Sequence, residues 1–91
     1  MAFTIRQLQY FVAVAEQGTV SRAAQHMSIS QSSVTEAIKE LESDLGVELF
    51  ERHSRGLSVT HKGHQFLRHA TKILADVSDA RRSFTEEVAA A

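Results

Sequence analysis

Apolar residues recur at three- and four-residue steps through the first half of the chain. Ile5, Leu8, Phe11, Val12 and Ala15 make one stripe, so a helix with one buried face is expected from Thr4 to Gln17. Thr4 carries a capping side chain and Gly18 can end the helix in a left-handed conformation. Val20, Ala23, Ala24 and Met27 predict a second helix, from Thr19 or Val20 to Met27. The pattern then breaks over Met27-Ser28-Ile29-Ser30, where one apolar residue between two serines reads as a tight turn plugged into a core. Ser30 is a good N-cap for a third helix running to about Leu45, and Gly46 stands where its C-cap belongs. Val34, Ala37, Ile38, Leu41 and Leu45 face inward on it, and Gln31, Ser32, Thr35, Glu36, Lys39 and Glu42 face outward. Two short strands are expected next, over 47–52 and 57–59, joined by an Arg55-Gly56 turn, with Phe50 facing Leu57 or Val59.

Thr60 can cap a last helix from His61 to about Val88. Its apolar residues Phe66, Ala70, Ile73, Val77, Ala80, Phe84 and Val88 keep close to heptad spacing. Such a helix is roughly 40 Å long. A domain of this size cannot cover that length, so the stripe implies a partner, most simply a second copy of the same helix. The fold class is therefore mainly α: a winged helix-turn-helix of three helices and a short two-stranded wing, followed by a long dimerisation helix. Residues 1–60 are expected to form the winged domain and 61–88 the linker and dimerisation helix. Residues 89–91 form a tail, Ala89-Ala90-Ala91, that reads as a frayed helix end or an appended remnant.

Two short helices, a four-residue turn and a third helix with a polar outer face make a helix-turn-helix pattern. Ala24 is small where the two helices cross, Ile29 is apolar just past the turn, and Val34 is placed for burial. Ser28 occupies the turn position where glycine is common. The exposed start of the third helix offers amide and hydroxyl groups: glutamine can bond adenine N6 and N7, and serine and threonine several base edges. The helix N-terminus with Ser30 can hold a phosphate. Capping alone explains Ser30 and one neighbour, but not a whole outer face of short hydrogen-bonding side chains.

The net charge of −1 argues at first against a polyanionic partner. Its distribution argues the other way: Arg52, Arg55, Lys62, Arg68 and Lys72 lie in a stretch, 52–75, that contains no acid. Affinity follows the local field, so this segregation suits double-stranded DNA. His53, His61, His64 and His69 lie in the same stretch. His61 and His64 are three apart on one helix, but no cysteine exists and no acid is near, so they read as polar surface groups and no metal is expected. With 91 residues there is room for one small domain. The absence of cysteine excludes disulfides, thiolate metal sites and a cysteine nucleophile, and fits a cytoplasmic home. No apolar run nears the ~18 residues of a membrane span, and the N-terminus lacks the pattern of a signal peptide. No nucleophile elbow, glycine-rich phosphate loop or metal cage is visible, so an enzyme is not expected and no cofactor is called for. A pure dimerisation module would account for the last helix. It would leave the polar face of the third helix and the acid-free basic stretch unexplained.

Several segments, in order and spacing, resemble the LysR-type transcriptional regulators. They are Arg6-Gln7-Leu8-Gln9-Tyr10-Phe11, Arg22-Ala23-Ala24, Ser28-Ile29-Ser30-Gln31-Ser32, Ile38-Lys39-Glu40-Leu41-Glu42, the run from Leu45 to Arg52, and Thr60-x-x-Gly63. The last two favour this family over other winged-helix families. The resemblance covers Arg6 to about Leu74 and implies a third helix in the major groove, a wing at a neighbouring minor groove, and a linker helix that pairs antiparallel with its copy. Carried over by position, it implies base contacts from Gln31, Ser32, Thr35 and Glu36, with Arg55 at the wing tip. Backbone contacts are expected from Ser30, Ser33, Lys39, Arg52 and Lys62, and dimer contacts from Phe66, Ala70, Ile73, Val77, Ala80 and Phe84. Two positions depart from the family pattern: proline is common where Ser32 stands, and arginine where Glu36 stands. Glu36 can accept from cytosine N4, or it can favour the helix dipole and pair with Lys39. Arg55-Gly56 suits the enhanced negative potential of a minor groove. Arg52 is expected to meet a phosphate or an acid of the third helix. Family members bind interrupted inverted repeats and carry a larger C-terminal domain that senses a small molecule. That domain is absent from this sequence, which therefore reads as a DNA-binding fragment. Any inducer, and the tetramer of a full-length protein, would depend on the absent part.

Overall fold

Thr4 opens the first helix with a reciprocal cap. Its hydroxyl accepts from the Gln7 backbone N–H at 3.1 Å, and its own N–H donates to Gln7 Oε1 at 2.9 Å. Two of the donors that a helix start leaves orphaned are thereby satisfied. The computed structural model describes the backbone of residues 3–90 and the side chains of 3–85. Helix α1 (Ile5–Gln17) ends at Gly18, whose φ of 83° is left-handed, as its position in the sequence predicts. Its buried residues are Leu8, Phe11, Ala13 and Val14, whereas Ile5 is 40% exposed and Val12 and Ala15 are half-buried. The single stripe through Ile5, Val12 and Ala15 was too narrow a reading. The helix packs against three other helices, so more than one face is covered, and Ile5 sits on its first turn at the edge of that contact.

Thr19 caps α2 (Val20–Met27) by accepting from Arg22 N–H. Ala23 and Ala24 are fully buried, and the small side chains let α1 and α3 close on α2. Ser28 ends α2 at φ 57°, the only non-glycine residue with positive φ among those described. The chain turns there, and the Ile29 N–H donates back to the Ala24 carbonyl at 3.0 Å. Ser30 caps α3 (Gln31–Leu45) and Gly46, at φ 71°, ends it. Val34, Ala37, Ile38 and Leu41 are buried, as expected, and Leu45 is half-buried.

The wing is an antiparallel ribbon of β1 (Phe50–His53) and β2 (Gly56–Val59), with Phe50 opposite Val59 and His53 opposite Gly56. Residues 47–49 do not join the strand expected over 47–52. Their backbone groups are bonded elsewhere: Val47 N–H donates to the Glu42 carbonyl, Leu49 N–H to the Glu42 carboxylate, and the Glu48 and Leu49 carbonyls accept from Thr60. The turn is Ser54-Arg55, and Gly56 is already the first residue of β2. Gly56 has φ 128°, and a Cβ there would stand 2.9 Å from the Gly18 carbonyl oxygen. The Leu57 N–H donates to that same oxygen, which docks the wing onto the α1–α2 turn.

Helix α4 (His61–Ala90) begins on a hydroxyl cap, with Thr60 Oγ1 accepting from Gly63 N–H at 2.9 Å. Gly63 is buried, and a Cβ on it would collide with the Leu49 carbonyl oxygen and stand 2.7 Å from Val59 Cγ1. Phe66 packs against Phe11 and Phe3, with ring centroids 5.6 and 5.8 Å away, and Ala70 is fully buried in the same core. The expected dimer stripe therefore divides. Phe66 and Ala70 are occupied by the chain's own core, because the first turns of α4 lie across α1. Ile73, half-buried, packs against the same core, Val77 is half-buried, and Ala80 and Phe84 are exposed, Phe84 by 71%. Beyond the core α4 projects freely, giving the molecule its longest dimension of 53 Å. The helix continues past the predicted end at Val88. The side chains of 86–90, and Ala91 entirely, lie outside the described residues, and the expectations for Val88 and the 89–91 tail fall there.

Two substitutions test this packing by urea denaturation. Gly63→Ala is expected to lower stability by about 2–3 kcal/mol, since the Leu49 backbone and the half-buried Val59 side chain leave no room for a methyl group. Ser28→Gly is expected to raise it by about 0.5 kcal/mol, the relief of left-handed strain less the extra freedom of the unfolded chain.

Candidate nucleic-acid interface

Burying Val34, Ile38 and Leu41 turns the other side of α3 to solvent. Gln31, Ser32, Ser33, Glu36 and Lys39 are exposed and Thr35 is half-buried. Ser30 gathers the hydroxyls of the helix start: its Oγ accepts from Ser33 N–H at 3.2 Å and lies 3.2 and 2.8 Å from the Ser32 and Ser33 hydroxyls. The cap thus accounts structurally for Ser33 as well as Ser30. Gln31 Nε2 reaches Ser21 of α2 only at 3.5 Å, a weak restraint on an exposed amide. Glu36 forms no ion pair with Lys39 and lies outside the first turn, where the helix dipole is felt most. Its carboxylate stands in solvent with neither bond that a purely structural role would provide.

The wing stands beside this face. A groove between them is lined by Gln31 and Thr35 on one side and by Arg52, His53 and Ser54 on the other. An adjoining groove adds Lys39 and Glu42 around the same Arg52. The fold therefore brings Gln31, Thr35, Lys39 and Arg52 together from segments far apart in sequence. Arg55 is exposed at the wing tip, two residues past the groove-lining His53. Lys62 is exposed on the first turn of α4 and lines neither groove. A further groove gathers Glu42, Glu48 and Glu51 around Phe50, with Arg52 and His53 on its rim as well.

Three structural residues here escaped the sequence reading. Glu42 was placed on the polar outer face, but it is half-buried and its carboxylate accepts from Leu49 N–H at 2.7 Å and Phe50 N–H at 3.4 Å. It ties α3 to the root of the wing. Leu49 is fully buried beneath that tie. His53 spans the wing turn: Nδ1 accepts from Arg55 N–H at 3.2 Å, and Nε2 lies 2.7 Å from Ser58 Oγ. The available signal is weak: a polar residue on a helix or a strand looks the same in sequence whether it faces water or a neighbouring backbone. Among the described residues no three His, Asp or Glu side chains gather as a metal site, and no helix is long and apolar enough to cross a membrane.

The family described as bacterial regulatory helix-turn-helix protein, lysR family, matches residues 5–64. The HTH-type transcriptional regulator CzcR of Bacillus cereus is 44% identical over 82 residues, covering 90% of this chain and 28% of the relative. The HTH-type transcriptional regulator TfdT of Cupriavidus pinatubonensis is 51% identical over 78 residues, covering 86% of this chain and 34% of the relative. The chain thus spans about a third or less of the curated relatives it matches. Among solved structures, the crystal structure of a CbnR_DBD–DNA complex superposes with a TM-score of 0.82 at 42% identity, covering 97% of this chain and 99% of that one.

Glu42→Ala removes a charged acceptor from two backbone donors at the wing root. Stability is expected to fall by about 2 kcal/mol, read as a lower urea midpoint with an unchanged slope. An unaltered midpoint would mean that the wing root is held without the carboxylate.

Proposed function

The chain belongs to the lysR family of bacterial regulatory helix-turn-helix proteins, and on that premise we propose that it binds double-stranded DNA as a homodimer, reading an interrupted inverted repeat. The observation that carries this reading is the shared groove, where the exposed polar start of α3 faces the basic side of the wing. A helix enters the major groove with such a face, and a wing then reaches the adjacent minor groove. In this arrangement Gln31, Ser32, Thr35 and Glu36 meet base edges and Arg55 enters the minor groove. Ser30, Ser33, Lys39, Arg52 and Lys62 meet phosphates. The free part of the α4 stripe, Val77, Ala80 and Phe84, forms the dimer seam together with the half-buried Ile73; within the proposed division of 1–60 for DNA and 61–88 for dimerisation, the first turns of α4 also serve the core of the DNA-binding unit. Phe84, large, apolar and 71% exposed, is the residue that most needs a partner.

The relatives are named as transcriptional regulators, and their greater length supports a regulator with an effector domain beyond this chain. A small-molecule inducer and a tetramer belong to that longer protein. The reading places the protein in the cytoplasm, without catalytic activity.

Site selection from a random duplex pool at two salt concentrations tests the proposal. A two-fold-symmetric interrupted motif is expected, with affinity falling steeply as salt rises, because phosphate contacts release counterions. Absence of any enriched motif from a chain that sediments as a dimer would overturn it. Glu36→Ala is expected to alter preference at one or two base positions by about fivefold to a hundredfold, with the urea midpoint within about 0.5 kcal/mol of the parent. Selection of the same motif by the mutant would remove Glu36 from the base-reading set.

A further inference from the structure

The wing turn is closed by an imidazole. Among the described residues, the Arg55 N–H finds its hydrogen-bond partner in His53 Nδ1, at 3.2 Å. A backbone N–H can only donate, so Nδ1 must be bare. The neutral ring then carries its proton on Nε2 and donates it to Ser58 Oγ at 2.7 Å. One ring thus fastens the turn from both sides, to the backbone of the residue at its tip and to the opposite strand. An aspartate or asparagine does the same to the residue two positions on, and His53 stands at that position relative to Arg55. Ser54 and Arg55 both have negative φ, and the positive φ of this turn falls on Gly56, after the residue that His53 holds. The His53 bond fixes the backbone of Arg55 itself, which the glycine after it does not touch.

We propose that His53 is a positioning residue for Arg55: its neutral, Nε2-protonated form holds the wing tip in the geometry that presents Arg55 to the minor groove, and protonation of the ring releases it. A proton on Nδ1 sets two donors face to face and breaks the bond to Arg55. The charged groups lining the grooves on either side of His53 are Glu42 of α3, and Glu48, Glu51 and Arg52 at the wing, with Arg55 in the turn itself. From α2 and the α1–α2 turn only Val20 and Thr19 approach, and neither carries charge. The inference rests on the minor-groove role proposed for Arg55, and it predicts a sign opposite to simple electrostatics. Five histidines gaining charge as pH falls should tighten binding to any DNA. Release of the wing tip should weaken discrimination between base pairs under the wing. A ratio of affinities for two duplexes that differ only at those base pairs cancels the first effect and reports the second.

The experiment has two readouts on the full chain. In the first, without DNA, imidazole and amide nitrogen NMR should show His53 in the Nε2-protonated tautomer, and the Arg55 amide shift should follow the His53 titration. An Arg55 amide indifferent to that titration overturns the proposal. In the second, the base pairs whose preference is lost in Arg55→Ala define the wing-read positions. Discrimination there should fall about three- to tenfold between pH about 8 and about 5.5, the worth of one hydrogen bond. His53→Ala should be poor at both pH values. His53→Asn, whose side-chain carbonyl can accept from the Arg55 N–H without titrating, should discriminate well at both. A pH-independent ratio in the parent chain, or His53→Asn behaving as His53→Ala, overturns the proposal. If Arg55→Ala costs no discrimination anywhere, the minor-groove role of Arg55 is wrong, and the positioning role falls with it even where NMR finds the hydrogen bond.

Discussion

Leu49 holds three elements to one point, and the interface depends on that point. Its N–H is bound by the Glu42 carboxylate of α3, its carbonyl by the Thr60 N–H at the head of α4, and its side chain is fully buried. The glycine at 63 lets the first turn of α4 come down onto that carbonyl with no side chain between them. The start of the wing is therefore fixed relative to α3 on one side and the long helix on the other. Leu57 adds the second anchor, bonding β2 to the Gly18 carbonyl at the α1–α2 turn. A two-stranded ribbon is marginal alone. Here it is held at both its root and its flank, so that its basic side keeps a set distance from Gln31 and Thr35.

The elements were legible in the sequence because their signals are local. Thr4, Ser30, Gly18 and Gly46 all cap where their positions predict, and the buried row of α3 falls on Val34, Ala37, Ile38 and Leu41. What the sequence hid was tertiary. Burial of Ala13 and Val14 follows from α1 being covered by three helices, and no periodicity within α1 announces its neighbours. The heptad-like spacing of α4 looked like one continuous seam, but Phe66 meets Phe11 and Phe3 at one end while Phe84 meets solvent at the other. The same repeat serves an intramolecular core and then an open face. Residues 47–49 look like strand because Val47 and Leu49 alternate with a polar neighbour, yet their backbone bonds go to Glu42 and Thr60.

The candidate site divides in the same way. The outward residues of α3 were legible, since a helix with a known buried row must expose the rest. That Gln31, Thr35, Lys39 and Arg52 share a groove was not, because Arg52 arrives from the wing. Glu42 shows the limit most clearly. On a helical projection it stands at the edge of the buried row, about 40° from Ile38 and about 120° from Glu36, but only the fold shows that it holds a backbone and does not face solvent.

The contrast between Glu42 and Glu36 bears on how the proposed interface would divide its work. The exposed side of α3 carries one cation, Lys39, against the acids Glu36, Glu40 and Asp44, so it offers little net attraction to phosphates. The cations lie elsewhere: Arg52 and Arg55 on the wing, and Lys62, Arg68 and Lys72 along α4. A carboxylate on the base-facing helix is repelled by the polyanion wherever it finds no donor, and is satisfied only by a base edge that offers one, as cytosine N4 does. Affinity on this reading is supplied from the wing and the long helix, while α3 contributes selectivity, partly by rejecting sites that leave Glu36 unpaired. A chain of net charge −1 can then bind DNA without contradiction, because of its acids near the proposed interface Glu42 is engaged with its own backbone, Glu48 and Glu51 line a groove around Phe50, and Glu36 is placed where repulsion itself discriminates.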